Sequence, residues 1–371
     1  MGRAKIRIGV SGLGRIGWIF HCAEIARHPA FAFVAVQDPE PDRRAEAERV
    51  YGVRGFARFD DMLAEGQLDA VAIAAPTHLH RAMAVQALNA GCHVMLEKPM
   101  APDCADAEAI VRAAARRKRV LTVYQPRRAD ASFQHLRALA ASGIVGEVYH
   151  ARIGMFQLSL RDDWQALRRY GGGMLNNYGA HGLDQLLQLL GYDVRKVFCT
   201  LRRVASVGDA EDVVKVVLRT ADGAIGELDI NQASTFNPYV LDVWGTRGAL
   251  SLHPGNPGHF TVQRIAAGAV RPRKLVTKLA STGRRYPDAG GLAIEETRIE
   301  VDTRRAVDVY ADFARAIRTG TPPFVRPEEP LAVMRLIDRC RAAGGRIVAN
   351  SLYGASKGRA SGIAIPRDLG Q

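Results

Sequence analysis

The sequence predicts an α/β protein in two parts: a doubly wound parallel sheet at the N-terminus, then an α/β domain with a largely antiparallel open sheet. Three observations predict it. Over residues 1–125 apolar strands alternate with helix-period stretches, the pattern of parallel strands joined by crossover helices. After Tyr124 that rhythm stops, and strand pairs flank short glycine-bearing turns, Ala221-Asp222-Gly223 and Gly245-Thr246-Arg247-Gly248. Finally, a glycine-rich turn, Gly12-Leu13-Gly14-Arg15-Ile16-Gly17, joins the first strand to the first helix.

Ile6–Val10 is a short apolar strand, and Ile16–Arg27 places Ile16, Ile19, Phe20, Ala23 and Ile25 close to helical spacing. Phe31–Val36 is the second strand and Arg43–Tyr51 the next helix. Ala70–Ala74 is apolar throughout, as a strand covered on both faces requires. His78–Asn89 is helical and stops at Gly91, a C-cap glycine. His93–Leu96, the helix Pro102–Arg117 and the strand Val120–Tyr124 complete the unit. Beyond it, Ser132–Ala141 reads as a helix and Gly146–Leu158 as a strand with one exposed face. Gly171-Gly172-Gly173 opens a helix running to about Leu190. Val213–Arg219 with Ala224–Ile230, and Val240–Trp244 with Ala249–Leu252, read as hairpins. Residues 254–300 are rich in Gly, Pro and Arg and carry no clear pattern. Val307–Arg318 and Glu328–Ala343 are amphipathic helices, the second expected to pack back on the first domain. The expected organisation is a dinucleotide-type domain over 1–125, a substrate and oligomerisation domain over 126–345, and a tail over 346–371.

Composition bounds the function. The chain has 371 residues, enough for two cores, and is 47% hydrophobic and 24% charged, a globular balance. No run approaches the ~18 apolar residues of a membrane span. Met1 to Val10 is already strand-like and offers no signal-peptide core, so a cytoplasmic location with no membrane partner is expected. The cysteines, Cys22, Cys92, Cys104, Cys199 and Cys340, are odd in number and widely spaced, which indicates neither a disulfide framework nor a zinc site. Net charge is +13, but eight Lys and 43 Arg are spread along the chain. The densest runs, Arg116-Arg117-Lys118-Arg119 and Arg271 to Lys278, lack the interleaved aromatics of a nucleic-acid platform. A solvated basic surface, able to draw in an anionic cofactor or substrate, is expected instead of nucleic-acid binding.

The GxGxxG turn carries the first chemistry. Gly12 permits the tight turn, Gly14 lets backbone approach a pyrophosphate, and Gly17 lets helix pack on strand. The helix N-terminus, with Leu13, Arg15 and Ile16 in the turn, presents free N–H groups and a positive dipole end to phosphates. Asp38 lies 21 residues beyond Gly17, where a carboxylate accepts from a ribose 2′-hydroxyl and repels a 2′-phosphate. The motif predicts a Rossmann-type nicotinamide site that takes NAD in preference to NADP; Arg43 and Arg44 nearby keep NADP as the lesser option. The local alternative for Asp38 is a turn cap before Pro39.

Several further motifs resemble the Gfo/Idh/MocA family of sugar and cyclitol oxidoreductases over nearly the whole chain. They are the GLGRIG turn, Ala75-Pro76-Thr77-His78-Leu79-His80, Glu97-Lys98-Pro99, Gly171 to Asp184 reading GGGMLNNYGAHGLD, and Gly245-Thr246-Arg247-Gly248. An EKP after a buried strand, followed about 75 residues later by GGGxLxxxGxH, is a fairly specific combination. The resemblance implies a lysine and a histidine acting together at a reacting carbinol, here Lys98 and His181. It also implies a ribose contact for Glu97, a proline, Pro99, that holds the lysine through an often cis bond, and a loop of Pro76, Thr77 and His80 on the nicotinamide side.

The residues support that reading on their own terms. Lys98 follows a buried strand at the end of the sheet where ligands of open α/β folds bind, and desolvation there lowers a lysine pKa toward the range of proton exchange. Its alternative is a surface lysine paired with Glu97. Asn177, His181 and Asp184 share helical spacing, so His181 is an acid/base candidate with Asn177 beside it. Many family members carry Asp where this chain has Asn177; Asn cannot titrate, which leaves Lys98 and His181 as the titrating pair. Asp184 is expected to orient His181 or cap backbone; a metal held by His181 and Asp184 lacks further ligands, so no metal is expected. His80 has a core-facing alternative. Tyr124-Gln125-Pro126-Arg127-Arg128 ends the last parallel strand where substrate and nicotinamide would meet. Trp164 suits a sugar face, and Arg127 or Arg161 suits a carboxylate or phosphate, with surface ion pairing the alternative for each arginine. Tyr178 and Asn177 are expected to position substrate.

The expected reaction is hydride transfer between the secondary carbinol of a sugar, cyclitol or sugar derivative and NAD, in a homodimer or homotetramer. The rivals are a lyase or glycosidase working through transient oxidation, and a non-catalytic dinucleotide sensor.

Overall fold

The computed structural model describes residues 4–270, 275, 277, 291–349 and 352. Most of the basic run from Arg271 to Lys278, and the tail beyond residue 349 apart from Leu352, lie outside the described residues. Six parallel strands form the first sheet: β1 Ile6–Ser11, β2 Phe31–Gln37, β3 Arg54–Phe56, β4 Ala70–Ile73, β5 His93–Glu97 and β6 Leu121–Tyr124. Their order is β3-β2-β1-β4-β5-β6. The order of strand addition reverses between β1 and β4, and this switch opens a crevice at the carboxyl ends of those strands. Every residue of β4 is buried, the reason its sequence has no polar face.

The crossovers are α1 Ala23–Arg27, entered through a π-helical segment Gly17–Cys22, then α2 Pro41–Tyr51, α3 Phe59–Glu65, α4 His80–Asn89 and α5 Cys104–Arg117. The Asp103 side chain caps α5 by accepting from the Asp106 amide at 2.9 Å. β3 and α3 escape a periodicity reading because three- and seven-residue elements span too few repeats.

The second part begins with α6 Pro126–Ala129, α7 Ala131–Ala141 and β7 Val148–Phe156. The expected long helix after the glycine cluster is two helices, α8 Met174–Asn177 and α9 Gly179–Leu190, broken at Tyr178. The remaining strands are β8 Val194–Arg203, β9 Val213–Thr220, β10 Ile225–Asn231, β11 Leu241–Gly245, β12 Gly248–Leu252, β13 His259–Ile265, β14 Ile294–Glu300 and the short β15 Val348–Ala349. They form a nine-stranded sheet ordered β14-β13-β12-β11-β7-β10-β9-β8-β15. Pairing is antiparallel except for β7 with β10 and β8 with β15. β13 and β14 come from the stretch 254–300 that the sequence left without a pattern. Alternation assigns the faces. Val214, Val216, Leu218, Leu228 and Ile230 are buried in one core with Leu183, Leu186 and Leu187 of α9, while the other face carries Lys215 paired with Glu227 and Asp229.

Two closing helices, α10 Val309–Thr319 and α11 Glu328–Gly344, tie the parts together. Tyr310 and Phe313 of α10 enter the core formed by Ile6, Ile8, Val10 and Phe31 on one face of the first sheet. α11 packs against α5, α9 and β8, so it lies between the two sheets' layers.

One buried cation locks this junction. Arg128, on α6, donates from Nε to Asp184 Oδ2 at 2.8 Å, from Nη2 to Asp184 Oδ1, and from Nη1 to Glu329 Oε2 at 2.7 Å. Asp184 therefore does not orient His181, contrary to the expectation from spacing. Burial would push the charge off the guanidinium, but the two carboxylates outweigh it and raise its pKa. Arg128→Ala strands Asp184 in the interior and is expected to cost about 3–5 kcal/mol of stability, read as a lowered urea midpoint.

Candidate active site

The glycine turn is built by contact. Gly12 has φ of +88°, and a β-carbon there would lie 2.7 Å from the Ala74 carbonyl. A β-carbon on Gly17 would stand 1.8 Å from the Gly12 carbonyl oxygen, so helix and turn meet only because both residues lack side chains. Gly14 differs: nothing lies within 4 Å of where its β-carbon would be, and its backbone faces open cleft. That bare cradle ahead of a helix fits a pyrophosphate.

From this turn a cleft of about 1630 Å³ runs between the two sheets. It brings together Gly12, Gly14, Arg15, Ile16, Asp38, Pro76, Glu97, Lys98, Tyr124, Arg127, Arg161, Trp164, Asn177, Tyr178 and His181. A recess of about 470 Å³ adjoins it and is lined by Thr77, His80 and Pro99 as well as Lys98 and Asn177. Leu13 is buried and contributes only its amide, which donates to Asp38 Oδ2 at 2.7 Å. Asp38 Oδ1 accepts from the Glu40 amide at 3.0 Å, so the carboxylate caps its own turn while edging the cleft.

Lys98 follows β5, and the peptide joining it to Pro99 is cis. Its Nζ donates to Asn177 Oδ1 at 2.6 Å and to the Asn177 carbonyl at 3.2 Å, bridging the first sheet to the end of α8. This is not a surface pair with Glu97. Desolvation lowers the Lys98 pKa to about 8; Glu97 resists the shift, and the charges of Arg127 and Arg161 add to it. Asn177 Nδ2 donates to Gln165 Oε1 at 3.0 Å, which fixes the amide with its oxygen toward Lys98.

His181 is buried and hydrogen-bonded through Nδ1 to Gln125 Oε1 at 3.0 Å. Gln125 Nε2 donates to the Ala180 carbonyl at 3.3 Å, so the amide oxygen faces the imidazole and Nδ1 carries the proton. Nε2 is left as the acceptor. Burial, then the charges of Lys98 and Arg127, hold His181 well below its ordinary pKa. Lys98 and His181 are therefore not both charged near neutral pH.

Other residues serve the frame. Both His80 ring nitrogens sit 2.9 Å from backbone carbonyls, of Pro99 and Ala75, while the residue also lines the recess beside Lys98. Glu97 Oε1 pairs with His21 at 3.1 Å, His21 meets the Tyr310 hydroxyl at 3.0 Å, and Glu97 Oε2 accepts from the Lys98 amide at 3.1 Å. Burial pushes the Tyr124 hydroxyl up to about 12, so it stays protonated. Arg161 is held by Asp163 at 3.0 Å and by Gln165, and Arg15 reaches Asp163 at 3.5 Å. Trp164 opens the turn Trp164–Ala166 at the cleft wall. Sequence reasoning passed over Gln125, His21 and Gln165. Gln125 stood within a quoted motif, but no local pattern couples it to an imidazole 56 residues away.

Residues 6–125 match the Gfo/Idh/MocA family model described as an oxidoreductase family with an NAD-binding Rossmann fold, and residues 133–251 match the GFO/IDH/MocA C-terminal domain. The chain belongs to the Gfo/Idh/MocA family and is an NAD(P)-dependent oxidoreductase. It is similar to a myo-inositol 2-dehydrogenase of Thermotoga maritima, 26% identical over 340 residues covering 87% of this chain and 92% of that one. Among solved structures, an NAD-binding protein from Listeria innocua superposes with a TM-score of 0.79 at 25% identity, covering 91% of this chain and 97% of the other. The WlbA dehydrogenase of Bordetella pertussis, solved with NADH and UDP-GlcNAcA, gives 0.74 at 25% identity, covering 92% and 97%. Among the described residues no helix is long and apolar enough to cross a membrane.

The depressed Lys98 pKa has a consequence for stability. Between about 8 and the ordinary 10.5 the unfolded chain holds a proton that the folded chain has released. Stability tied to Lys98 is therefore lowest below pH 8 and rises as pH climbs to 10.5, by up to about 3 kcal/mol. Lys98→Met is expected to melt higher than the parent at pH 7, with the gap closing by pH 10.5 in thermal unfolding.

Proposed function

We propose that this protein oxidises a secondary carbinol of a sugar, cyclitol or sugar derivative, and reduces the corresponding ketone, with Lys98 and His181 handling the proton. The observation that carries the reading is one cleft that starts at a bare phosphate cradle and ends at a desolvated lysine and a neutral imidazole. The similarity to an inositol dehydrogenase and a sugar-nucleotide dehydrogenase supports the substrate class.

Gly12 and Gly14 of the turn would hold the nicotinamide dinucleotide, which would supply the hydride acceptor for the carbinol carbon. The chain's task is then the proton. With a pKa near 8, Lys98 is about one-tenth uncharged at pH 7, and its free amine accepts the hydroxyl proton as the carbonyl forms. Asn177 Oδ1 holds Nζ in place but takes no proton. His181, with Nε2 free, accepts a hydrogen bond from the substrate or relays the proton outward. Tyr178 and Trp164 wall the substrate end. For ketone reduction the same groups run in reverse, with Lys98 charged and donating.

NAD is the proposed coenzyme. The Asp38 carboxylate at the second-strand end disfavours a 2′-phosphate, and Arg44 is spent on the Asp38 and Pro39 carbonyls at 2.8 Å each. Association through the open face of the second sheet into a dimer or tetramer is proposed alongside.

In an assay of NADH absorbance with a polyol and sugar panel, NAD is expected to outperform NADP by at least about ten-fold, and NADH to accumulate with substrate. Substrate conversion with no net NADH points instead to an elimination that regenerates the coenzyme. Lys98→Met is expected to lower turnover ~100-fold or more while dinucleotide binding persists. The parent's oxidation rate is expected to rise through an apparent pKa near 8, because the base must be uncharged, and that limb should vanish in Lys98→Met. Full activity of that variant removes Lys98 from the mechanism.

A further inference from the structure

The dehydrogenase reading leaves one charged residue of the cleft without a task. Arg127 begins just past β6, on α6, and lines the cleft beside Tyr178 and His181. The strand order puts β6 three strand spacings from β1, so α6 starts roughly 14 Å across the sheet from the phosphate turn. Arg127 therefore stands at the substrate end and not at the pyrophosphate end.

Its neighbours in the cleft are committed. Arg15 and Arg161 pair with Asp163 at 3.5 and 3.0 Å, Arg43 lies 3.5 Å from Asp38, and Lys98 is held by Asn177. Among the described residues Arg127 makes no ion pair; Asp130, three residues on, feels its charge without closing to ion-pair distance. Its guanidinium rests 5.7 Å from the Tyr178 ring centroid and stays exposed. Arg161 adds a second uncommitted donor, since its Nε is buried with no partner among the described residues. An exposed arginine is ordinarily just solvated, but this one lies close enough to the reacting groups for its charge to depress both Lys98 and His181. Lys98 feels the positive charges of Arg127 and Arg161 against the negative charge of Glu97.

We infer that the substrate carries an anionic group, a carboxylate or a phosphate, beside the carbinol that reacts, and that Arg127 is the residue that reads it. This rests on the dehydrogenase reading above. The planar guanidinium offers two parallel N–H donors to such a group, a fork that lysine cannot reproduce. An uncharged sugar leaves the cationic end unbalanced, whereas an anion neutralises it and raises the proton affinity of Lys98 and His181 only once substrate is seated.

The test uses matched pairs: a hexose against its hexuronate, and a hexose against its phosphate ester, assayed with NAD and the full chain. The anionic member of at least one pair is expected to exceed its neutral parent in kcat/KM by about ten- to a hundred-fold, the range of a charge-assisted hydrogen bond, and the responding pair tells carboxylate from phosphate. In Arg127→Gln that ratio is expected to collapse, mainly through KM, with Arg127→Lys recovering only part. Removing the charge is also expected to move the Lys98-dependent limb of the rate to higher pH, a shift that a merely structural arginine would not produce. Without turnover, calorimetric binding of the anion to the enzyme saturated with NADH should weaken as salt rises, and less steeply in Arg127→Gln. Oxidation of the neutral members as well as or better than the anionic ones overturns the inference and leaves the dehydrogenase reading standing. A preference that survives in Arg127→Gln also overturns it. No turnover of any member, with no calorimetric binding, overturns both.

Discussion

The contact on which the rest of this molecule depends is an ammonium drawn out of water and held by a neutral amide. Lys98 belongs to the first sheet and Asn177 to the end of α8, and their 2.6 Å hydrogen bond spans the cleft between the two halves. An aspartate at position 177 would hold that lysine charged; the amide offers an acceptor without a counter-charge, so desolvation prevails and the pKa falls. The scaffold around this pair supplies rigidity. The His80 ring sits between the Pro99 and Ala75 carbonyls, the Glu97 carboxylate accepts from the Lys98 amide, and Gln165 pins the far side of Asn177.

Both halves are coupled through ionic and polar groups that are almost completely buried. The Arg128 guanidinium joins α6, α9 and α11 through Asp184 and Glu329. A second line runs from Glu97 through His21 to Tyr310, which arrives from α10, 289 residues beyond His21. Each group is costly to bury alone and tolerable only because its partners are present, so such lines fix a relative placement that apolar packing alone would leave loose. Residues of both sheets share one continuous apolar cluster, from Ile73 and Leu96 through Leu183 to Val216 and Leu228. That continuity keeps the cleft walls at a set distance from the phosphate turn.

Charge is distributed unevenly along the cleft. At the turn, Arg15 and Arg43 are balanced by Asp163 and Asp38. At the far end Arg127 makes no ion pair among the described residues, and Lys98, His181 and Asp130 all feel its charge. A net charge of +13 is uninformative as a total; its meaning comes from which cations already have carboxylates.

The N-terminal sheet was legible in the sequence because its determinants are local: apolar runs, a glycine turn and the spacing to Asp38 all lie within a few dozen residues. The positions of Lys98 and His181 were legible too, through motifs. What local pattern could not carry was pairing across long separations. Helical spacing set Asp184 beside His181, yet the carboxylate turns to Arg128, whose charge is worth more to a buried acid than a neutral imidazole is. The imidazole is oriented instead by Gln125, and β13 and β14 form from a stretch with no periodicity because a neighbouring strand edge was there to pair with. Sequence by itself determined which residues can turn, bury or titrate; the tertiary structure decided which of them meet, because the energy of a buried polar group depends on its partners rather than on its neighbours in the chain.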